Sequence, residues 1–336
     1  MEQGTTIPSS SSSCLSDPAF LLLLSRFAQP NSTENLRPAC EWEAALGTDL
    51  STAIARLDDE GFVRPVELDL PTLLSSQFGS VQLKAMAKER GLAVSGTKEI
   101  LGKRLAEADA SGMAKLIRHE KVFVCTGPGL AAAEQFKASQ KAERDEAERD
   151  TLHLLKSGQL REACLRVAAY DAEQIIPRGI SVEFATFKAR GENQRKAYDP
   201  TIDLAILTRV FSETPKRLVA LSAEKLSPLR MAAAMTHLWG AANAKHWVEE
   251  SHLGEVGWDS NVTAMMLLSH ALTGHVLACG KSLGFKKVKV LGSNDPMCAE
   301  CSGQAGKVYD ISNAPEIPFE RCACERGCAC VIVMVD

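Results

Sequence analysis

Long apolar runs are scarce in this 336-residue chain, and that is the first thing to use. The densest, residues 20–24, is far too short to span a bilayer and has no basic region before it, so it does not read as an export signal. It reads instead as one amphipathic helix over residues 17–27, stopped before Pro30. No other segment suggests a membrane, and a cytoplasmic location is expected, nuclear in a eukaryote. There is also no basic excess. Lysines and arginines number 38 against 42 acidic residues, a net charge of −4. A general nucleic-acid coat is excluded, and any such contact must come from a local patch. Recognisable catalytic signatures are missing as well: no HExxH, no Walker loop, no GxSxG elbow, no paired-carboxylate motif. The reading therefore favours a non-enzymatic binding protein.

What is present suits a soluble, mainly α, multidomain chain. Its length allows two or three cores, 45% of its residues are apolar, and its mean hydropathy is −0.07. The expected parts are a Ser-rich lead-in (residues 1–15), a helical N-terminal domain (16–130), a charged linking helix (131–156), a helical domain (157–286) and a Cys-rich tail (287–336). Within the N-terminal domain, short helices are expected at 42–46, 50–59 and 68–78, and a strand at 121–126. Ile54, Leu57, Phe62 and Val63 would form a small core.

Residues 80–105 read as two short helices around a glycine turn. Val81, Leu83, Met86 and Ala87 mark the inner face of the first, which ends at Arg90, with Gly91 as its stop. Ile100, Leu101 and Leu105 mark the inner face of the second, capped by Thr97 or Ser95. The exterior is basic: Lys84, Lys88, Arg90, Lys98, Lys103 and Arg104 face only Glu89 and Glu99, a surplus of 6 − 2 = 4 charges. Cations beside small hydroxyl residues at a helix N-terminus suit phosphate binding. The leucine spacing, Gly91-Leu92 and Ser95-Gly96-Thr97-Lys98 resemble the SAP domain, a DNA-binding helical module. The resemblance implies duplex DNA as partner through backbone contacts, with Lys84, Lys88, Ser95, Gly96, Thr97, Lys98 and Arg104 near the phosphates. Arg90 and Lys103 add to the same patch.

The linking helix is almost wholly polar between residues 137 and 150, without the a/d pattern of a coiled coil. Beyond it a helix is expected over 158–176. The basic loop 178–200 follows, where Lys188, Arg190, Arg195 and Lys196 could add a second phosphate contact. Two long helices are then expected, one capped by Ser227 and running to about residue 250, the next opened by Ser260 or Asn261 and closed at Gly284. His237, His246, His252, His270 and His275 lie here without metal-ligand spacing, and they read as structural or surface residues.

Of eleven cysteines, six lie between Cys298 and Cys330. Cys-x₂-Cys, Cys298 and Cys301, followed by two Cys-x-Cys pairs, Cys322/Cys324 and Cys328/Cys330, has the donor density of a structural Zn²⁺ site closed by a zinc-ribbon-like β-hairpin. Cys298, Cys301, Cys322 and Cys328 are the preferred ligands, with Cys324 and Cys330 as alternates. The preference assumes that residues one apart in a strand face opposite ways. In an exported chain, two disulfides would be the alternative. Asp295, Cys298, Cys301, residues 306–309, Pro315, Pro318, Cys328 and Cys330 also resemble the cysteine-rich region of phage head-morphogenesis (minor head) proteins. That family usually carries a histidine near the proline bend; Glu320 and Cys322 stand in that region here. The expected function is DNA binding with a structural zinc site. The alternatives are a phage-derived assembly protein with protein partners, and a DNA-processing nuclease tethered by the basic hairpin.

Overall fold

The computed structural model describes residues 13–36, 39–118, 121–176, 199–240, 243–292 and 297–335. Asp295 and the basic loop at Lys188, Arg190, Arg195 and Lys196 lie outside them, as does most of the Ser-rich lead-in. The fold is mainly helical with three small antiparallel sheets, and it divides into two compact units, residues 1–142 and 143–336.

In the first unit, helix α1 (Pro18–Ser25) is capped by Asp17, whose carboxylate accepts from the Ala19 amide at 2.8 Å. Helices α2 (Ala39–Leu46), α3 (Leu50–Asp59) and α4 (Leu70–Gln77) follow, the last two capped by Asp49 and Asp69. A sheet gathers β1 (Asn31–Ser32), β2 (Val63–Pro65) and β3 (Val122–Cys125), with β3 central. Phe20, Leu23, Leu24, Phe27, Leu57 and Val63 are buried, and Phe27 meets Phe123 edge-on at 5.9 Å.

The long helix α8 (Gly127–Lys156) starts four residues earlier than the sequence indicates. Gly127-Pro128-Gly129 forms its first turn rather than a loop after the strand, because proline is tolerated where amide groups have no helical partner. Gly129 is needed there: a Cβ would lie 1.9 Å from the Phe62 carbonyl oxygen. Further along, Ala147, Thr151 and Leu155, spaced four apart, form a buried stripe in the second unit. The helix is thus not polar all round; its polar stretch is shorter than expected. No residue from 134 to 146 is buried. We expect trypsin to cut first at Lys137 or Lys141, since local opening there exposes little apolar surface. A first cut inside residues 223–282, read by mass spectrometry, would show that this stretch is not the weak point.

The second unit contains α9 (Leu160–Ala172), α10 (Pro200–Ser212), α11 (Ala223–Trp239) and α12 (Ser260–Ser282), with a two-stranded ribbon, β4 (His252–Leu253) and β5 (Trp258–Asp259), between the last two in sequence. The expected cap at Ser227 is replaced by Ser222, which accepts from the Lys225 amide at 3.4 Å. Pro228 therefore lies inside α11, which ends at Trp239 rather than near residue 250, with Gly240 left-handed. Asp259 caps α12, accepting from the Val262 amide at 2.7 Å. By length and composition α12 is long and apolar enough to cross a membrane, contrary to the expectation that no segment after residues 20–24 suggests one. Here Ala264, Leu267, Leu268 and Ala271 belong to the unit's core.

The tail begins with β6 (Lys287–Leu291), which is central in a sheet with β7 (Val308–Asp310) and β8 (Val331–Val335) on either side. Both neighbours are antiparallel to it, placing Val288 opposite Tyr309 and Met334. Val288 and Val290 alternate inward, as a half-buried strand requires. One buried cluster runs from Val210, Leu229 and Leu267 through Val288 to Cys301, Cys322, Cys328 and Cys330. The core is thus continuous across residue 286, where a domain boundary was expected.

Candidate nucleic-acid interface and metal centre

Helices α5 (Ser80–Glu89) and α6 (Lys98–Ala108) form where the sequence puts them. Gly91 has φ +67°, which frees the Gly91 and Leu92 amides to bond the Lys88 and Ala87 carbonyls at 3.1 and 2.9 Å. This paired closure needs a left-handed residue. Leu83, Ala87, Leu101 and Leu105 are fully buried with Leu74 of α4 and with Met113 of α7 (Ala110–Ala114). Two expected inner residues are not inside: Val81 is 82% and Ile100 48% exposed. The reason is helical geometry. Positions two apart differ by about 200° and neighbours by about 100°, so Val81 cannot share a face with Leu83, nor Ile100 with Leu101.

The cations divide into two kinds. Lys84, Lys88 and Lys103 are exposed and Lys98 is half-buried, as is Arg104. Lys103 has only a loose pairing with Glu107 at 3.9 Å. Arg90, by contrast, bonds Asp109 at 3.0 Å and the Met86 carbonyl at 3.3 Å. Arg104 donates to the Ala93 and Ser95 carbonyls, the latter at 3.0 Å, bracing the connection between the helices. Ser95, Gly96 and Thr97 are exposed on that connection. Thr97 precedes α6 without a side-chain bond to its amides. Its hydroxyl instead holds the Glu99 carboxyl below the usual range. Thr97 therefore gives α6 no side-chain cap, while the Glu99 carboxylate accepts from its own amide and places one negative charge at that turn.

In the tail, Cys298 precedes helix α13 (Ala299–Gln304), so Cys298 and Cys301 are presented by a helix start rather than by a β-hairpin turn. Residues 322–330 form a loop, not a strand. The alternation argument against using both members of a Cys-x-Cys pair therefore does not apply. The thiols of Cys298, Cys301, Cys322 and Cys324 lie within 4.8 Å of one another, and those of Cys301, Cys328 and Cys330 form a second such group. Cys301 Sγ is 3.5 Å from Cys322 and 3.7 Å from both Cys328 and Cys324. These are contacts rather than disulfides, whose bond is about 2.05 Å. They match the edge of about 3.8 Å that four sulfurs form around an ion at about 2.3 Å. The cluster can hold a metal ion.

Amide donors reinforce the donor set: Ala323 donates to Cys298 Sγ at 3.4 Å and Cys298 to Cys324 Sγ at 3.3 Å. Burial alone would raise the Cys298 thiol, but bonds from the Cys301 and Ala323 amides and from neighbouring thiols outweigh it and bring it to about 6. The Cys322 thiol donates to Cys328 and, against burial, brings it to about 5. Cys322 is raised in return, Cys301 is raised by burial and by the Cys328 charge, and Cys330 is pushed by the same causes to about 11. Cys298 and Cys328 are thus ionised readily, while Cys301, Cys322 and Cys330 are held back in the free cluster. The loop is fixed to the core by Trp258, whose indole donates to the Cys324 carbonyl at 2.8 Å, and by the Cys328 amide against Met266 Sδ at 3.1 Å.

Among the described residues, no histidine belongs to the cluster. His237 meets Asp203 at 2.8 Å, and His270 faces the Ile317 carbonyl at 3.1 Å in the proline bend. Comparison with family models, curated proteins and solved structures finds no match for this chain.

Proposed function

We propose that the chain binds duplex DNA through its phosphates, using the SAP-like hairpin of residues 80–105, and that a structural Zn²⁺ closes its cysteine-rich tail. The observation carrying the DNA reading is the separation within the hairpin. Its leucines are consumed by the core while Lys84, Lys88 and Lys103 are exposed, Lys98 is half-buried, and Ser95, Gly96 and Thr97 are exposed on the connection. Cations and the amides at the start of α6 that Thr97 leaves uncapped offer charge and hydrogen bonds to the same phosphate oxygens. Zinc follows from the donor set, since soft thiolates at tetrahedral spacing select it over hard cations. A closed all-sulfur shell leaves no position for substrate, which makes its role structural.

An assembly role remains the second reading. It is supported by the order of strand, Cys-x₂-Cys, strand, proline bend and Cys-x-Cys, which matches the head-morphogenesis resemblance. The DNA reading is tested in the full chain with Lys84→Glu/Lys98→Glu. Duplex affinity should fall at least tenfold, about 1.4 kcal/mol or more, with unchanged circular dichroism. Fluorescence anisotropy on a short duplex reads it, and unaltered affinity would remove DNA contact from this hairpin.

A further inference from the structure

We propose that Cys279 is a site of S-acylation, taking the acyl group of a long-chain acyl thioester with His275 as the base. Neither the DNA reading nor the metal reading enters this proposal.

The thiol has a base at hand. Cys279 Sγ lies 3.4 Å from His275 Nε2, one helical turn earlier on α12. A nucleophile and a base within hydrogen-bond reach are the working parts of a thiol that attacks carbonyls. Among the described cysteines Cys279 is the one that is exposed; the others are buried or half-buried. His275 is half-buried, and burial together with the charges of Arg209 and His237 lowers its pKa. Its imidazole is thus kept neutral, the form that can take a proton.

The surface around the thiol selects the electrophile. Leu272, Val276 and Leu283 are 37%, 41% and 76% exposed. At about 100° per residue, Leu272, Val276, Cys279 and Leu283 fall within about 60° of one another around the helix. The thiol therefore lies inside an apolar stripe, with Leu272 and Val276 before it and Leu283 after it. Only 33% of the most apolar stretch of α12 is buried, so the stripe is not an extension of the core. A polar electrophile gains nothing from that surface. A hydrocarbon chain joined to Sγ would lie along it and leave water.

The exchange balances. His275 Nε2 takes the Cys279 proton, and the thiolate attacks the thioester carbonyl carbon. A new S–C bond forms, the bond from that carbon to the departing sulfur breaks, and the departing thiolate recovers the proton from His275. One thioester replaces another, and nothing is oxidised or reduced.

The test uses the full chain, purified under reducing conditions and incubated with palmitoyl-coenzyme A, read by intact mass and peptide mapping. One hydroxylamine-labile palmitoyl group at Cys279 is expected, and Cys279→Ala should remove it. His275→Gln should slow transfer about tenfold or more, and added imidazole should restore it. Palmitoyl transfer should exceed acetyl transfer from acetyl-coenzyme A about tenfold, and Leu272→Asn/Val276→Asn should erase that preference. No adduct, or an adduct on another cysteine, would overturn the site. An unaltered rate in His275→Gln would overturn the base, and equal palmitoyl and acetyl rates would overturn the long-chain assignment. A dimer in which Cys279 resists thiol reagents, seen by native mass spectrometry, would show a second copy covering the stripe and would reject the proposal.

Discussion

Cys301→Ser should abolish metal binding and unfold the C-terminal sheet. Cys301 is fully buried, touches three other cysteines, and belongs to the core of the second unit. Two magnitudes separate the explanations. If the cysteines are only buried apolar thiols, a serine hydroxyl without a partner costs about 1–3 kcal/mol. For a unit of this size that lowers the melting temperature by roughly 2–4 °C per kcal/mol. If they hold a structural ion, the loss is on the order of 10 kcal/mol, comparable to the whole stability of a typical domain. Hydrogen exchange should then show β6 and β8 unprotected, while α5 and α6 of the other unit keep their protection. A shift of a few degrees with the sheet intact would mean that the thiols are packing groups.

Gly129→Ala should be the most damaging single-methyl change in the first unit, and Gly127→Ala, two residues away, should be harmless. A Cβ at Gly129 meets the Phe62 carbonyl oxygen at 1.9 Å, the carbonyl carbon at 2.8 Å and Cα at 3.1 Å, all backbone. No side chain can turn aside. Either β2 or the start of α8 must move, and Thr126 then loses its amide bond of 2.9 Å to the Phe62 carbonyl. Overpacking of this kind costs about 3 kcal/mol or more. At Gly127 nothing lies within 4 Å of the added methyl. The unfolded chain there loses freedom, so a gain of about 0.4–1 kcal/mol is expected. Urea denaturation of both variants checks the pair, and equal midpoints would refute the close approach.

The contrast also shows what the sequence can reveal. Leu83 with Ala87, Leu101 with Leu105, and the stop at Gly91 are legible because helix period and chain reversal are local properties. β6 is legible for the same reason, since Val288 and Val290 alternate with lysines. Gly129 is not legible, because its need comes from Phe62, far away in sequence. Ser227-Pro228 has the form of a helix start, yet Ser222 supplies the cap and α11 tolerates the proline inside. The six cysteines are recognisable as a group from composition. Their division is not, because residues 322–330 form a loop in which strand alternation has no meaning.

The bracing of the hairpin by Arg90 and Arg104 has a consequence for counterions. Duplex DNA releases about 0.9 ion for each phosphate a protein neutralises. If the hairpin binds duplex DNA as proposed, six cations would give a slope of log affinity against log salt of about −5.4 and five a slope of about −4.5. Arg90 is paired with the Asp109 carboxylate and spends its charge there, whereas Arg104 bonds the neutral Ala93 and Ser95 carbonyls and keeps its charge. Arg104→Ala would then loosen the connection and also lower the number of ions displaced, whereas Lys88→Ala would lower that number alone. In Arg104, shape and charge sit on one side chain.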